Sequence, residues 1–448
     1  MTGKTVGFIS LGCAKNLVDT EVMLGLLQKA GYDITIDASS AYILIVNTCS
    51  FIDQAKEESI ETLLEMAEYR KKGNCKILVA AGCLSQGHGK ELLKEIPELD
   101  GVVGTGCFHS IVEILADALE GKRPVYIEQP HFLYDHTFPR ILSTPSYTAY
   151  VKIAEGCSHR CSFCVIPQLR GSYRSRDPVS VVKEVEGLAD QGVKEINLIA
   201  QDTTSYGRGL SSGRVNLPLL LEELVKIQGL KWIRILYGYP GGITEDLIEV
   251  MSREEKICSY LDLPLQHAHP EILKKMRRPF YKTKIKELLE KLREKIPGIV
   301  LRSSFMVGFP GETEEHFNEL YSFLEEMQFD RAGFFSYSPQ EGTPSALLDK
   351  QISEQIKEER FGKLTKLQRK ISLQKNRSLL GSSLEVLIEG KVPNKKDFYV
   401  GRFSGQAPEI DGVVYVKSNS SLRSGEMMQV KIISVGSYDL QGKTGNIN

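Results

Sequence analysis

The chain has 448 residues, of which 42% are hydrophobic, and its formal net charge is −1. This length predicts about three domains, the apolar content suffices for buried cores, and the near-zero charge excludes a strong overall attraction to nucleic acid. The first residues lack a signal-peptide pattern, and no apolar segment approaches the roughly 20 residues that span a bilayer. We therefore expect a cytoplasmic protein without membrane contact, in which nine cysteines serve metal binding or catalysis rather than disulfides.

The N-terminal part, residues 1–120, alternates short apolar runs with helical patterns. This rhythm is typical of an open parallel α/β sheet covered by helices. The predicted strands are 5–10, 42–47 and 76–80, and the predicted helices are 19–30 and 54–72. Residues 121–146 contain four prolines and break the periodicity, so we predict a linker there.

The central part, residues 147–376, resumes the strand–helix rhythm. Six strands are too few for the usual eightfold barrel, so we predict a partial, open (βα)6 barrel. Its strands are expected at 150–154, 196–200, 232–236, 260–263, 300–306 and 331–335. The tail, residues 377–448, has short strands with Gly and Asn between them, which predicts a small antiparallel barrel of the OB type.

A tight run of cysteines follows the first strand of the predicted barrel: Cys157, Cys161 and Cys164 in GCSHRCSFC. Three thiolates around a four-iron cluster leave one iron without a protein ligand, where a small molecule can bind and react. The alternative is a zinc site, in which His159 supplies the fourth ligand. The place of the run at a barrel mouth, where loops after parallel strands build sites, favours the cluster.

A second trio of cysteines is spread along the N-terminal part. Cys13, Cys49 and Cys83 each close an apolar run, VGFISLGC, ILIVNTC and ILVAAGC. Parallel strands bring their carboxyl ends to one sheet edge, where ligands of open α/β sheets bind, so we expect the three thiols to share a cofactor. The alternative is that all three are ordinary buried cysteines, as we expect for Cys75, Cys107 and Cys258.

Two Gly-containing loops after strands are weaker candidates for a ligand site. VGFPGETEE, residues 307–315, could cradle a ligand at a helix N-terminus or be a plain turn. QDTTSYG, residues 201–207, could present polar groups at the barrel mouth or only cap a turn, and His267 could contact a ligand or be a satisfied core histidine. Neither G-x-G-x-x-G nor G-x4-G-K-[ST] occurs, which argues against dinucleotide and P-loop enzymes.

These motifs together resemble a known family. The run Cys-x3-Cys-x-aromatic-Cys, with Phe163 before the third cysteine, resembles the radical S-adenosylmethionine (SAM) signature. The N-terminal trio and CSFCVIPQLRGSYRSR resemble the methylthiotransferases, and SLGCAKNLVDTE, IAQDTTSYG, LPLQH and APEIDGVVYV resemble their RimO branch. The likeness covers nearly the whole chain, in the order methylthiotransferase domain, radical SAM core and TRAM domain.

The resemblance implies roles for named residues. Cys157, Cys161 and Cys164 would hold one [4Fe-4S] cluster whose open iron binds SAM, and Cys13, Cys49 and Cys83 would hold a second that carries the transferred sulfur. The cofactor-binding residues beside SAM would be Phe163, Gln201, Gly308 and Glu312. Reductive cleavage of SAM would produce a 5′-deoxyadenosyl radical, with the electron coming from a donor such as a flavodoxin or ferredoxin.

The RimO branch methylthiolates the β-carbon of an aspartate in a small-subunit ribosomal protein, the twelfth, whereas the rival branch resembling MiaB modifies an adenosine of tRNA. Residues 381–448 carry eight Lys or Arg and seven Asp or Glu, and a module that grips RNA phosphates should be clearly basic. We therefore predict that the TRAM domain docks the ribosomal protein and that tRNA is not the partner. A non-catalytic iron–sulfur electron carrier is the alternative from another class, and it leaves the barrel unexplained.

Overall fold

The computed structural model describes residues 4–210, 215–278 and 282–445. Its first unit is a six-stranded sheet in which every neighbouring pair is parallel. The strand order is β2-β1-β3-β4-β5-β6, and the strands are β1 Thr5–Ser10, β2 Asp33–Thr35, β3 Ile43–Thr48, β4 Ile77–Gly82, β5 Gly101–Val103 and β6 Val125–Tyr126. The predicted open parallel sheet is confirmed, and it takes its last strand, β6, from the segment predicted as a linker.

Helices cover both faces of this sheet because its central strands, ILIVNT and ILVAAG, are buried along their whole length. The helices are α1 Ala14–Lys29, α2 Asp53–Ala67, α3 Tyr69–Lys72, α4 Cys83–Glu95 and α5 Ile111–Leu119, with a 3-10 turn at Phe108–Ser110. The helix predicted over 54–72 is thus two consecutive helices that meet at Glu68.

The central unit is an open six-stranded parallel sheet in the order β14-β13-β12-β11-β10-β7. All six predicted strands are present, within a few residues of their expected ends. They are β7 Thr148–Lys152, β10 Glu195–Ile199, β11 Trp232–Ile235, β12 Ile257–Asp262, β13 Val300–Val307 and β14 Arg331–Ser336, and a small antiparallel pair, β8 Ala154–Glu155 and β9 Arg174–Ser175, stands beside them.

The helices of the central unit pack on this sheet, and several begin at side-chain caps. Asp177, Asn216 and Thr244 each accept a hydrogen bond from the backbone N–H three residues on, which satisfies one otherwise free donor of the first turn. The helices are α6 Ile166–Arg170, α7 Pro178–Asp190, α8 Leu217–Leu224, α9 Glu245–Arg253, α10 Pro270–Lys275, α11 Lys282–Lys295, α12 Glu314–Met327 and α13 Glu354–Arg377, with 3-10 turns at Thr203–Ser205, Pro240–Gly242 and Pro344–Leu347.

The tail forms a closed barrel in the order β15-β16-β17-β19-β18, as the OB-type prediction requires. The strands are β15 Ser383–Lys391, β16 Phe398–Phe403, β17 Val414–Lys417, β18 Met427–Val435 and β19 Leu440–Thr444. Four of the five pairs are antiparallel, but β17 and β19 run parallel. The barrel is therefore not antiparallel throughout, because β19 lies between β17 and β18 and is antiparallel only to β18. In the described part of the chain, no helix has both the length and the apolar character needed to cross a bilayer.

A buried carboxylate fastens the barrel to the central sheet. Glu195, the first residue of β10, accepts from Arg234 of β11 at 2.9 Å and from Arg402 of β16 at 2.6 Å. All three side chains are almost fully buried. Burial alone would raise the pKa of Glu195, but the two guanidinium groups lower it to about 2. An uncompensated charge here would be costly, so these three residues act as one unit.

We predict that Glu195→Gln lowers the free energy of unfolding by about 3–5 kcal/mol at pH 7, because it leaves Arg234 buried without a carboxylate partner and Arg402 with only Glu389. Since the pKa of Glu195 is lower in the folded state, its contribution is complete above about pH 4.5 and is lost as the pH falls toward about 2. The difference between variant and wild type in denaturant titrations should therefore shrink across that pH window. Glu223→Gln, at an exposed pair with Lys226, should cost less than about 1 kcal/mol. An equal loss in both variants would contradict the prediction.

Candidate active site

Cys13, Cys49 and Cys83 stand at the carboxyl ends of the neighbouring strands β1, β3 and β4. Cys49 directly follows β3, Cys83 directly follows β4, and Cys13 lies three residues beyond β1 as the N-cap of α1. All three line one cavity of about 470 Å³. The parallel topology thus brings together three thiols that lie 70 residues apart in the chain, from position 13 to position 83.

The glycines before two of these cysteines let the chain turn sharply. Gly12 and Gly82 have φ of +87° and +91°, a region that favours glycine. A Cβ at Gly12 would lie 2.9 Å from the Cys49 Sγ, and one at Gly82 would lie 2.2 Å from the Asn47 Oδ1. Any side chain at either position would therefore displace a part of this site.

Cys157, Cys161 and Cys164 lie on the loop between β8 and α6 and line the same cavity. The Cys157 N–H donates to the Gly171 carbonyl at 3.1 Å, and the Cys164 N–H donates to the Cys161 carbonyl at 3.2 Å. These bonds shape the loop without using the thiols. Six cysteines from two different domains thus line a single cavity.

His159, the alternative zinc ligand of the sequence analysis, also lines the cavity, but its ring is held by Asp202 and Tyr239. Its Nε2 lies 2.6 Å from the Asp202 Oδ2, and its ring stacks on Tyr239 with centroids 3.7 Å apart. Within residues 4–210, 215–278 and 282–445, no three His, Cys, Asp or Glu side chains are grouped as ligands of a single metal ion. The cysteine trios instead offer sulfur donors, the ligand type of iron–sulfur clusters.

Arg170 joins the N-terminal thiols to the central domain. Its guanidinium, 2% exposed, donates to Asp19 at 2.6 Å, to Glu155 at 3.2 Å, to Asn16 at 2.7 Å and to the Cys83 Sγ at 3.5 Å. Lys152 completes the set by pairing with both Asp19 and Glu155. We call these residues the interdomain ion network: Asp19, Lys152, Glu155 and Arg170.

Burial raises the pKa of several of the thiols, to about 11 for Cys83 and about 12 for Cys164. Around Cys13 burial acts in the same direction, but the positive charges of Lys15 and Arg170 outweigh it and lower the pKa. The thiols of the metal-free protein are therefore held in unequal environments. Metal binding requires thiolates, so it would release protons from the buried ones.

The four cofactor-binding residues predicted from sequence fall into two groups. Phe163 and Gln201 line the cavity, and the Gln201 Nε2 donates to Glu155 at 2.6 Å. Gly308 and Glu312 are not among the described residues that line it. The Glu312 carboxylate is fully buried, accepts from the Gly308 N–H and pairs with Arg360 at 3.2 Å.

Two other residues of the sequence analysis, His267 and Cys75, are not among the described residues that line the cavity. His267 is fully buried, and its Nδ1 accepts from the His269 N–H at 2.9 Å. Its Nε2 lies 3.5 Å from the Glu312 Oε1 and has no hydrogen-bond partner among the described residues, so it is not a fully satisfied core histidine. The Cys75 thiol contacts the Ile77 carbonyl at 3.3 Å. Sequence reasoning missed several lining residues because their positions depend on distant loops. These are Lys15, Arg170, Tyr237, Tyr239, Gln266, Arg278, Ser304 and Phe335.

Comparison with known proteins first defines the class. Residues 151–324 match the Radical SAM superfamily, residues 5–104 match the uncharacterized protein family UPF0004, and residues 380–444 match the TRAM domain. The fold is similar to that of the radical SAM methyltransferase TsrM from Kitasatospora setae, with a TM-score of 0.57 and 17% identity over 86% of this chain and 81% of that one. The chain is thus a radical SAM protein with a C-terminal TRAM barrel.

The particular family follows from closer relatives. The chain is 53% identical to the ribosomal protein uS12 methylthiotransferase RimO of Desulforamulus reducens, over 98% of this chain and 99% of the relative. It is 51% identical to the protein of the same description from a Thermoanaerobacter species, over 98% and 100%. The chain belongs to the RimO family of radical SAM methylthiotransferases, as its motifs predicted, and is a sulfur-group transferase.

We predict that Arg170→Gln lowers the free energy of unfolding by about 3–5 kcal/mol, because it removes a cation from a buried ion network. Denaturant titration of the metal-free protein measures the loss. The neighbouring Arg174, which donates to backbone carbonyls, supplies the matched control Arg174→Gln, which should cost less than about 1 kcal/mol. A stable Arg170→Gln variant would show that the network does not hold the domains together.

Proposed function

We propose that this chain adds a methylthio group to the β-carbon of an aspartate in ribosomal protein uS12, using SAM and two [4Fe-4S] clusters. The observation that carries the proposal is that all six cysteines line one cavity. Relatives about 50% identical over nearly the whole chain are described as uS12 methylthiotransferases, which supports the choice of substrate.

The residues present suit these cofactors. Cys157, Cys161 and Cys164 would hold the cluster that binds SAM, and Cys13, Cys49 and Cys83 would hold the second. Two buried amide oxygens on the cavity wall, Gln201 Oε1 and Gln266 Oε1, accept no hydrogen bond from the described residues. These acceptors suit the amino and hydroxyl groups of SAM, because buried polar atoms require partners.

When bound, these cofactors supply a carbon-centred radical and a methylated sulfur, chemistry that side chains alone cannot provide. The protein's part is to bring both sources to one place and to exclude water. Many of the side chains that line the cavity are aromatic or aliphatic. An apolar lining helps to exclude water and so to protect a reactive intermediate from side reactions. These aromatic and aliphatic side chains are Ile52, Phe163, Ile166, Leu169, Tyr237, Tyr239 and Phe335.

Further details of the proposal rest on the family resemblance. Phe163 and Gln201 are proposed to contact SAM, as their position on the wall allows. A SAM-binding role for Gly308 and Glu312 stays a prediction, and the carboxylate of Glu312 already has the partner Arg360. A flavodoxin or ferredoxin as electron donor and a cytoplasmic location are likewise part of the proposal.

The charges of the TRAM barrel favour a protein substrate over tRNA. Of its eight basic residues, Arg402 is buried against Glu195, so seven remain. Three of these, Lys417, Lys431 and Lys443, stand at paired positions of β17, β18 and β19. One of the acids in the loop APEIDG is also used internally, since Asp411 accepts from the Tyr260 hydroxyl at 2.7 Å. The barrel as a whole is therefore nearly neutral, whereas a phosphate-binding module should be clearly basic, and we propose that it docks uS12.

Mass spectrometry after an anaerobic reaction tests the function. The cluster-loaded enzyme, SAM and a reductant are incubated with purified uS12 and, in parallel, with tRNA. We expect a methylthio addition on one aspartate of uS12 and none on tRNA. Modification of tRNA alone would overturn the proposal. If neither substrate is modified, formation of 5′-deoxyadenosine shows that the enzyme is active but lacks its substrate, and its absence shows that the enzyme is inactive.

Cysteine variants on either side of β4 test the second cluster. Cys83→Ser should lower the iron content of the reconstituted protein by about half, because one of two clusters loses a ligand. Cys75→Ser, which lies before the same strand and outside the cavity lining, should retain the wild-type iron content. Iron analysis and the visible spectrum check both variants. Equal iron in Cys83→Ser and the wild type would contradict the two-cluster proposal.

A further inference from the structure

The cavity wall carries three basic side chains, Lys15, Arg170 and Arg278, and they differ in their partners. Arg170 is engaged by the interdomain ion network. Arg278 lies beside the SAM-binding trio, donates to the Pro264 carbonyl at 2.5 Å, contacts the Cys161 Sγ at 3.6 Å and lies over the Tyr239 ring. Lys15 belongs to the other trio, two residues after Cys13.

Lys15 is buried and yet its ammonium makes no hydrogen bond and no ion pair with a carboxylate among the described residues. The residue is 6% exposed, and its ammonium lies 2.9 Å from the centroid of the Tyr237 ring. Among the described residues, no carboxylate oxygen lies within 4 Å of it. The Cys13 thiolate acts on it through space most strongly, followed by Asp262 and Glu155, and these two carboxylates are paired with Arg302 and Lys152. Buried polar groups normally have hydrogen-bonding partners. The N–H donors of Lys15 can therefore bind an acceptor that enters the cavity.

The residue beneath Lys15 is held in a strained conformation. Tyr237 has φ of +60°, and its N–H donates to the Asp262 Oδ2 at 3.1 Å. Non-glycine residues with positive φ persist where surrounding contacts impose them, and they concentrate at functional sites. The tyrosine ring thus forms part of the cavity wall and contacts the Lys15 ammonium on one face.

The proposed reaction sets where the target side chain must lie. Its β-carbon has to meet both the radical source at one trio and the sulfur source at the other, so the aspartate enters the space between them. The carboxylate is bonded directly to that carbon and enters with it. Removing this carboxylate from water requires a positive or hydrogen-bonding partner inside the cavity.

We infer that the Lys15 ammonium binds the carboxylate of the target aspartate and thereby selects an acidic side chain and positions its β-carbon. This inference rests on the proposed function and assigns a specificity-determining role to a residue outside the cluster ligands. Lys15 would distinguish aspartate from its neutral isostere asparagine, which has the same shape but accepts a weaker hydrogen bond from a cation.

A binding cycle between enzyme and substrate tests the inference. Affinities of cluster-loaded enzyme for uS12, and for uS12 with the target Asp changed to Asn, are measured by fluorescence anisotropy without reductant. For the wild type we expect the Asn form to bind about 10- to 100-fold more weakly. Lys15→Met and Lys15→Gln should bind the Asp form more weakly by a similar factor and should no longer discriminate between the two forms.

Lys4→Met is the matched control, because Lys4 also lies over a tyrosine ring, that of Tyr42 at 5.1 Å, but far from the cavity lining. It should retain the full discrimination. Iron content and visible spectra of all variants should equal those of the wild type. With the Asp form, Lys15→Met should raise KM and still cleave SAM to 5′-deoxyadenosine.

Three results would overturn the inference: a wild type that binds both forms equally, Lys15 variants that keep the wild-type ratio, or variants that lose discrimination only together with iron. The last would show that Lys15 supports only the neighbouring thiols. Failure of the proposed function is seen separately, as absence of the methylthio addition on uS12 with the wild-type enzyme. Because two Lys15 variants of different polarity are compared, a folding defect in one leaves the other to decide.

Discussion

The interdomain ion network is the interaction on which the site depends. Asp19 comes from α1 of the N-terminal unit, whereas Lys152, Glu155 and Arg170 come from the central unit. Charges removed from water to this degree are stable only when each has its partners. The network therefore fixes one relative placement of the two units, and that placement brings the two cysteine trios to one cavity.

The network also reaches the chemistry through its outer members. Arg170 contacts the Cys83 Sγ and the Asn16 side chain, and Asn16 in turn donates to the carbonyls of Leu11 and Thr48 at 2.9 Å. The same residues that join the domains thus position the loops that carry the N-terminal thiols. On the opposite side, Glu155 accepts from Gln201, which lines the cavity. Hydrogen bonds and charge around cluster sulfurs set reduction potentials, so the docking of the two domains would also set the environment of the proposed cluster.

Local sequence patterns predicted much of the architecture. The apolar runs at β1, β3 and β4 and the six strands of the central sheet were identified because buried parallel strands have a continuous apolar signal. The radical SAM motif Cys157, Cys161 and Cys164 could be recognised in the sequence because the three cysteines lie on one short loop. By contrast, β6 was assigned to a linker, since a strand of two residues has no periodicity to detect. The parallel pairing of β17 with β19 was missed because strand order is not encoded in the alternation of side chains.

The sequence by itself determined the six thiols, the strands that precede them and the family to which the chain belongs, because these depend on residue types at short spacing. Only the tertiary structure decided that both trios share one cavity, that Asp411 and Arg402 are used inside the protein and that Lys15 is buried in the cavity wall without a carboxylate partner. Those properties depend on which distant side chains become neighbours after burial, and the balance between the cost of desolvation and the gain from pairing is set by the folded chain as a whole.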